Sequence, residues 1–218
     1  GDAVEAINQS GDAENEIVLM ENITLGGNYI LTNGKKTTIK GNNHTLRGGY
    51  NATIAVSGEK TVLNLGANGY DKKLTIEEDT RDGSASENPR VAFITVSGGA
   101  TANMYEHVTL QNRQQVDQAC VVLEENSVFT MYGGVIQNCK GKYGGVSLKN
   151  GSRFIMEGGT ISECSTTLDS GKGGGLYAEN STITISGGTI ENNKAARGGG
   201  VALTGEGRAF RPYAEQML

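Results

Sequence analysis

The stretch MYGGVIQNC at residues 131–139 returns as MEGGTISEC at 156–164 and as ISGGTIENN at 185–193. A further copy, MYEHVTLQN at 104–112, is slipped by one residue. The anchor residues Met131, Met156 and Ile185, which open three of these copies, lie 25 and 29 residues apart. Internal repeats of this length are typical of solenoids, in which each repeat stacks on the next and buries a continuous core.

Each repeat contains three short runs, and all three recur from one repeat to the next. Besides the phrase quoted above, they are SVFTM at 127–131, SRFIM at 152–156 and STITI at 181–185, and then YGGVSL at 143–148, GGGLYA at 173–178 and GGGVAL at 198–203. Every second residue is apolar, so each run predicts a strand with one face for a core. Three strands per repeat predict an all-β fold, a single-stranded right-handed parallel β-helix of about 25 residues per coil.

Stacking of the coils predicts columns of equivalent residues along the axis. We expect one column of Met104, Met131, Met156 and Ile185, and another of Val146, Leu176 and Val201. The alternative fold is a β-sandwich of hairpins, which would also place turn residues at intervals of about 8–12 positions. A β-sandwich would not, however, repeat three runs with the same inward residues. The paired glycines before each Thr-Ile or Val-Ile fit a corner that needs a positive φ or a close backbone approach. Asparagine at other corners tolerates the same left-handed backbone.

The pattern assigns residues 1–218 to one domain. We expect a short N-terminal capping helix at 2–10, because Ala3, Val4 and Ile7 share a helical face and Asp2 is a candidate N-cap. The coils are expected to occupy 16–203, with a polar loop at 77–91 protruding from the stack. Residues 204–218 match no coil, which leaves an irregular C-terminal cap or a cut end as the two interpretations.

Composition and charge exclude several function classes. The chain has 33 Gly and only 2 Pro, which favours many tight turns between hydrogen-bonded strands. The net charge of −5 argues against general nucleic-acid binding, which needs a basic field. No apolar run has the length of a membrane span. No signal peptide is visible at Gly1, which excludes nothing, because such leaders are removed from mature proteins.

The alternation of GGGL and GGGV runs with ISEC and IENN runs resembles the repeats of polymorphic outer-membrane-type proteins and of bacterial adhesin-like surface proteins. More broadly, a helix followed by EIVLMENITL at 16–25 is similar to the start of pectin-lyase-like β-helices. The resemblance covers about 104–203 for the repeat and roughly 2–31 for the start. It implies export, an extracellular or cell-surface location, and adhesion or contact with glycans. Ile and Thr stand where the polymorphic repeats carry Phe.

β-Helices also serve as polysaccharide lyases and glycosidases, so fold alone does not decide function. A glycosidase needs paired carboxylates about 5–10 Å apart, and the candidates are Asp117 and Asp169, in equivalent loops two coils or roughly 10 Å apart. A calcium site needs several oxygen ligands, and the candidates are Glu77, Glu78, Asp79 and Asp82, whose spacing matches no calcium loop. We expect no cofactor.

Cys139 and Cys164 occupy the same place in successive coils, in one column with Arg113 and Asn193. One interpretation is a redox pair or disulfide. The other, which we favour, is two small residues stacked at a corner, because parallel neighbours direct their Cβ atoms alike and would strain a disulfide bond.

The loops after each QNC-like corner are predicted to lie along one edge of the solenoid. They carry six basic residues against Asp117 and Asp169: Arg113, Lys140, Lys142, Lys172, Lys194 and Arg197. In an acidic protein such a stripe could contact an acidic glycan or a teichoic-type polymer. The alternative is a set of solvated loops that prevent lateral association.

Three functions follow from these patterns. The first is a non-enzymatic, adhesin-like surface scaffold whose partner is a glycan or a host or cell-surface protein. The second is a carbohydrate-active enzyme, and the third is a structural spacer within a longer array. The sequence leaves the oligomeric state open.

Overall fold

The computed structural model describes residues 2–32, 34–49, 51–79, 91–114, 117–205 and 209–212. The chain is a parallel β-solenoid of about 7 turns, each of ~26 residues, with three parallel sheets along its length. One short helix, α1 (Asp2–Gln9), precedes the first coil. No helix in these ranges is long and apolar enough to cross a membrane.

Sheet A has eight strands in the order of the coils. They are β1 (Glu14–Val18), β4 (Lys36–Lys40), β7 (Val62–Leu65), β10 (Thr101–Met104), β13 (Val128–Met131), β17 (Arg153–Met156), β21 (Thr182–Ile185) and β24 (Ala209–Pro212).

Sheets B and C have seven strands each. Sheet B comprises β2 (Ile23–Leu25), β5 (His44–Gly48), β8 (Leu74–Glu78), β11 (Val108–Gln111), β14 (Val135–Gln137), β18 (Thr160–Ser162) and β22 (Thr189–Glu191). Sheet C comprises β3 (Asn28–Leu31), β6 (Thr53–Ser57), β9 (Ile94–Ser97), β12 (Val121–Leu123), β16 (Val146–Leu148), β20 (Leu176–Glu179) and β23 (Val201–Thr204). Between sheets B and C, β15 (Lys140–Gly141) and β19 (Ser165–Thr166) form a two-stranded sheet.

The register of the strands confirms the predicted columns. Met104 pairs with Met131, Met131 with Met156, and Met156 with Ile185. Val146, Leu176 and Val201 likewise follow one another in sheet C. The three methionines are fully buried. Like residues stack because each inward position meets its own equivalent in the next coil, and the shared shape keeps the core packed.

The predicted slip of the first copy is confirmed at one corner. Met104 pairs with Met131, whereas Thr109 pairs with Val135, so the earlier coil has one more residue between these paired positions than the next coil has. His107 takes a φ of 63° in this longer corner. The extra residue is absorbed in the turn, and the pairing on both sides of it stays regular.

The second glycine of each paired set is required by its surroundings. Gly134, Gly159 and Gly188 have φ values of 81°, 84° and 86°. A Cβ atom at Gly159 would lie 2.6 Å from both the carbonyl oxygen of Gly134 and the terminal methyl group of Met131. Both the backbone conformation and the space therefore exclude a larger side chain.

The predicted N-terminal helix is confirmed and covers the end of the stack. The Asn8 side chain donates to the carbonyl oxygen of Ile30 at 2.6 Å and accepts from the backbone N–H of Thr32 at 3.2 Å. These bonds hold α1 over β3, which is the edge strand of sheet C. An edge strand left open would be a template for association with other chains.

Two predicted boundaries were wrong. The polar loop does not begin at residue 77, because Glu77 and Glu78 belong to β8. Glu77 pairs with Arg47 of β5 and Gln111 of β11, and Glu78 pairs with Gly48 of β5. Residues 80–90 lie outside the described part of the chain. The repeat also does not end near residue 204, because Ala209–Pro212 pairs in parallel with β21 although its sequence matches no earlier strand.

Candidate functional site

The basic edge is defined here as Lys140, Lys142, Lys172, Lys194 and Arg197. Arg113, which the sequence placed with them, does not belong to it. Arg113 is 0% exposed, and its guanidinium carbon lies 4.7 Å from the centroid of the Phe93 ring. The guanidinium donates to four backbone carbonyl oxygens at 3.0–3.2 Å, those of Val91, Gly48, Gly49 and Ala52.

The burial of Arg113 follows from its column. Arg113 aligns with Cys139, and the next residues of the column are Cys164 and Asn193, which confirms the predicted alignment. Both cysteines are fully buried, and Asn193 donates inward to the carbonyl oxygen of Ile161 at 2.9 Å. The position therefore points into the solenoid at this corner, whichever residue occupies it. A buried cation is tolerated here because fixed carbonyl dipoles replace its water shell.

The other five basic residues lie on the surface in two columns. Lys142, Lys172 and Arg197 each stand four residues before a strand of sheet C, in three successive coils. A backbone bridge joins Lys172 to Arg197 directly. Lys140 pairs with Ser165 through β15 and β19, and Ser165 is bridged in turn to Lys194.

The five cations of the basic edge make no ion pair with a carboxylate at 4.0 Å or less among the described residues, although Asp117 and Asp169 lie in the same set of loops. Like charges opposite one another on neighbouring strands are destabilising. The two columns therefore concentrate positive charge at a small cost in stability, in a protein whose net charge is −5.

An open depression of about 420 Å³ lies on the basic edge. Lys140 and Lys194 contribute to its lining, together with the hydroxyl-bearing residues Ser165, Thr166 and Thr167. Two ammonium groups and three hydroxyls can together donate hydrogen bonds to the oxygens of an anionic group. The three hydroxyl residues were not predicted as part of a site, although the run Ser165-Thr-Thr167 directly after the ISEC corner was a visible signal.

Two stacked tyrosines stand next to the basic edge on the outer face of sheet C. The Tyr143 and Tyr177 rings are 4.1 Å apart and nearly parallel, at 4°. The Lys142 ammonium lies 5.3 Å from the Tyr143 centroid and that of Lys149 lies 5.5 Å from it. Such contacts hold both ammonium groups over this ring. Burial raises the pKa of the Tyr177 hydroxyl, which is hydrogen-bonded to the Thr204 side chain at 2.9 Å.

The two candidate catalytic carboxylates are both exposed. Asp117 stands four residues before β12, in the position that Lys142 occupies in the next coil. Asp169 lies between β19 and β20 and lines the depression beside Lys140 and Lys194. The two aspartates sit two coils apart, as predicted, with no ion pair to either of them among the described residues.

The candidate metal ligands are held by other partners. Glu77 is ion-paired with Arg47 at 3.2 Å and accepts a hydrogen bond from Gln111 at 3.0 Å. Glu78, the next residue, is buried and accepts from the backbone N–H of Gln114 at 2.8 Å. Asp79 is buried too, and Asp82 lies outside the described residues. In the described ranges, no three His, Cys, Asp or Glu residues come together in a group that could hold a metal ion.

The cysteines form no disulfide bond. Cys120, Cys139 and Cys164 are free thiols, and all three are buried. Burial raises the pKa of Cys139 well above its usual value, and a hydrogen bond with Cys120 raises it further. The pKa of Cys164 is also raised, by its hydrogen bond with Cys139 and by burial. The favoured interpretation of small corner residues agrees with this arrangement.

Comparisons of the chain with models of known protein families, with curated proteins and with solved structures found no match.

Proposed function

We propose that this chain is a non-enzymatic, exported scaffold of the bacterial cell surface that binds an acidic glycan through the basic edge. The observation that carries the proposal is the pair of cationic columns, one of which, Lys140 and Lys194, lines the 420 Å³ depression. Along the solenoid axis Lys142, Lys172 and Arg197 repeat at about the 4.8 Å spacing of adjacent parallel strands. Lys140 and Lys194 are two strands apart, with Ser165 between them. A linear polyanion lying along the axis would meet one cation after another.

The chemistry of the depression favours an acidic sugar polymer over a generic anion. Lys140 and Lys194 flank Ser165 in the same column, and the threonine hydroxyls of Thr166 and Thr167 lie beside them. A carboxylate or sulfate group would bind to the ammonium groups, and sugar hydroxyls would exchange hydrogen bonds with the side-chain hydroxyls. The adhesin-like character suggested by the Gly-rich repeats and the pectin-lyase-like character suggested by the start of the chain are part of this proposal.

The test is a binding assay on a glycan array followed by titration with the acidic polymers that bind. In the edge variant, all five residues of the basic edge are changed to Gln. In the matched control, five basic residues elsewhere are changed to Gln: Lys36, Lys60, Lys72, Lys73 and Arg153. Both variants lose the same charge. We expect the edge variant to bind at least 10-fold more weakly and with less dependence on salt, because fewer counterions are released.

Two results would contradict the proposal. Equal losses in both variants would show that net charge, and not the basic edge, governs binding. Failure of every acidic glycan to bind would leave a protein receptor or a spacer role as the better account. The enzyme alternative is tested on the same polymers by measuring release of reducing or unsaturated ends.

A further inference from the structure

A second depression, here called the sheet A groove, lies on the outer face of sheet A near the N-terminal end. Its volume is about 330 Å³, at the small end of the range for ligand pockets. Its lining includes Glu16, Thr38 and Asn64 from three successive strands, and Asn68 and Tyr105 from corners beyond them. It is formed by β1, β4 and β7, whereas the basic edge lies between sheets B and C in later coils.

The floor of the groove is a directed chain of hydrogen bonds. The Asn103 amide donates to the Asn64 side-chain oxygen at 2.9 Å, and the Asn64 amide donates to the Thr38 hydroxyl oxygen at 3.1 Å. Asn64 is 6% exposed, so its amide is fixed in place. The Thr38 hydroxyl oxygen accepts from Asn64, so its own hydrogen remains available for donation. The floor therefore offers a hydroxyl donor beside the carboxylate of Glu16.

The wall of the groove nearest the later coils includes the ring of Tyr105. Tyr105 stacks on Tyr132 of the following coil, with centroids 5.0 Å apart and an interplanar angle of 18°. Because Tyr132 covers the side toward the later coils, the other face of Tyr105 is directed to the earlier coils, where Asn64 and Asn68 line the groove. The electron-rich face of an aromatic ring attracts polarised C–H groups.

The charges of the groove are balanced. Lys36 pairs with Glu14 at 3.3 Å, and Lys40 pairs with Glu16 at 2.6 Å. The Lys40 ammonium also lies 5.2 Å from the Tyr70 ring, in the loop that forms the rim. A groove with two carboxylates, each matched by a lysine, has no net attraction for an anion. It retains carboxylate oxygens that accept hydrogen bonds from hydroxyl groups.

From these features we infer that the sheet A groove binds one or two units of a neutral saccharide. The C–H face of a sugar ring would lie on the free face of Tyr105, and its hydroxyls would exchange hydrogen bonds with Glu16, Thr38 and Asn68. The inference does not depend on the function proposed for the basic edge. An aromatic wall facing fixed amide, hydroxyl and carboxylate groups recognises a molecule that has one apolar face and a polar rim.

The experiment titrates the full chain with neutral oligosaccharides of glucose, mannose, xylose and N-acetylglucosamine, by calorimetry and by NMR line shifts. The variants are Tyr105→Ala, Tyr105→Phe and Asn68→Ala, each checked for an unchanged circular dichroism spectrum. For the oligosaccharide that binds, we expect Tyr105→Ala to weaken binding at least 10-fold. Tyr105→Phe keeps the ring and should stay within about threefold of the wild type. Asn68→Ala tests the groove with a variant that leaves the stacked rings intact.

The outcomes separate this site from the basic edge. The variant with all five cations of the basic edge changed to Gln should bind the neutral oligosaccharide with unchanged affinity and little dependence on salt. Absence of binding by all neutral oligosaccharides at millimolar concentration would overturn the inference, as would full affinity in both Tyr105→Ala and Asn68→Ala. Loss of neutral-sugar binding in the basic-edge variant would also overturn it, because the ligand would then lie elsewhere.

Discussion

Replacement of Arg113 by Ala should cause one of the largest losses of stability available to a single substitution in this protein. The change removes a fully buried cation that donates to carbonyl oxygens of three separate segments, at 48–49, 52 and 91. It also removes the contact between the guanidinium and the Phe93 ring. The carbonyl groups of Gly48 and Ala52 lie in buried residues, so they cannot readily recover their hydrogen bonds by solvation.

The magnitude follows from the four hydrogen bonds. Each hydrogen bond to a charged group contributes about 1.5–3 kcal/mol, and desolvation of the guanidinium offsets several kcal/mol of their sum. We therefore expect the free energy of unfolding to fall by about 4 kcal/mol. Arg113→Lys keeps the positive charge but lacks the planar, forked guanidinium group. We expect it to lower the free energy of unfolding by about half as much as Arg113→Ala does.

Urea unfolding at 25 °C measures this effect. The chain has 8 Tyr and no Trp, so tyrosine fluorescence and circular dichroism are the signals. With a denaturant slope of about 3 kcal/mol/M, the expected loss lowers the urea midpoint by more than about 1 M. The matched control is Arg153→Ala, because Arg153 is an exposed arginine on β17, and its midpoint should not change. A midpoint for Arg113→Ala equal to that of the control would refute the reasoning.

Three further predictions concern the corners, the core and the thiols. Gly134→Ala should lower the free energy of unfolding by about 3 kcal/mol, because Ala is strained in a left-handed backbone and overpacks this corner. Gly69 has a φ of 70° but open space around it, so Gly69→Ala should lower the free energy of unfolding by only about 1 kcal/mol. Thermal unfolding measures both variants. Phe129→Ala removes a fully buried ring that stacks on its equivalent in the next coil. In urea unfolding, the free energy of unfolding should fall by about 3–5 kcal/mol, and a fall of less than about 1 kcal/mol would contradict the described core. Because the folded-state pKa values of Cys139 and Cys164 are raised, the unfolded chain loses these protons first, so stability should be intact below about pH 8.5 and should fall as pH rises above it. In the double variant with Ala at both cysteines, the stability measured between pH 8 and pH 10 should decline less steeply than in the wild type.

The fold could be predicted in detail because successive coils have similar sequences. The methionine anchors and the glycines after them identify equivalent positions, and equivalent positions stack. The one-residue slip at 104–112 was also visible, because MYEHVTLQN differs from its copies by one residue at the corner. β24 could not be found in this way, since Ala209–Pro212 resembles no other strand and is recognised only by its pairing with β21.

The candidate sites could be predicted from the sequence only in part. The surface positions of Lys142, Lys172 and Arg197 follow from the loop pattern, and the structure adds that they stack in one column. Arg113 was misplaced because charge suggested a surface position, although its alignment with Cys139 was the better guide. Its hydrogen-bond acceptors lie 22–65 residues earlier in the chain, in coils whose patterning is irregular.

The sequence by itself determined the length of the coil, the inward residue of each strand and the corners that need glycine or asparagine. These features are short-range, since a strand's two faces alternate with period 2 and a corner depends on a few φ angles. Only the tertiary structure decided how the side chains of corners and outer faces meet across coils: the carbonyl cage of Arg113, the depression between Lys140 and Lys194, and the groove beside Tyr105. Such sites depend on the register between coils and on the length of each loop, because a shift of one residue turns a side chain from the core to the solvent.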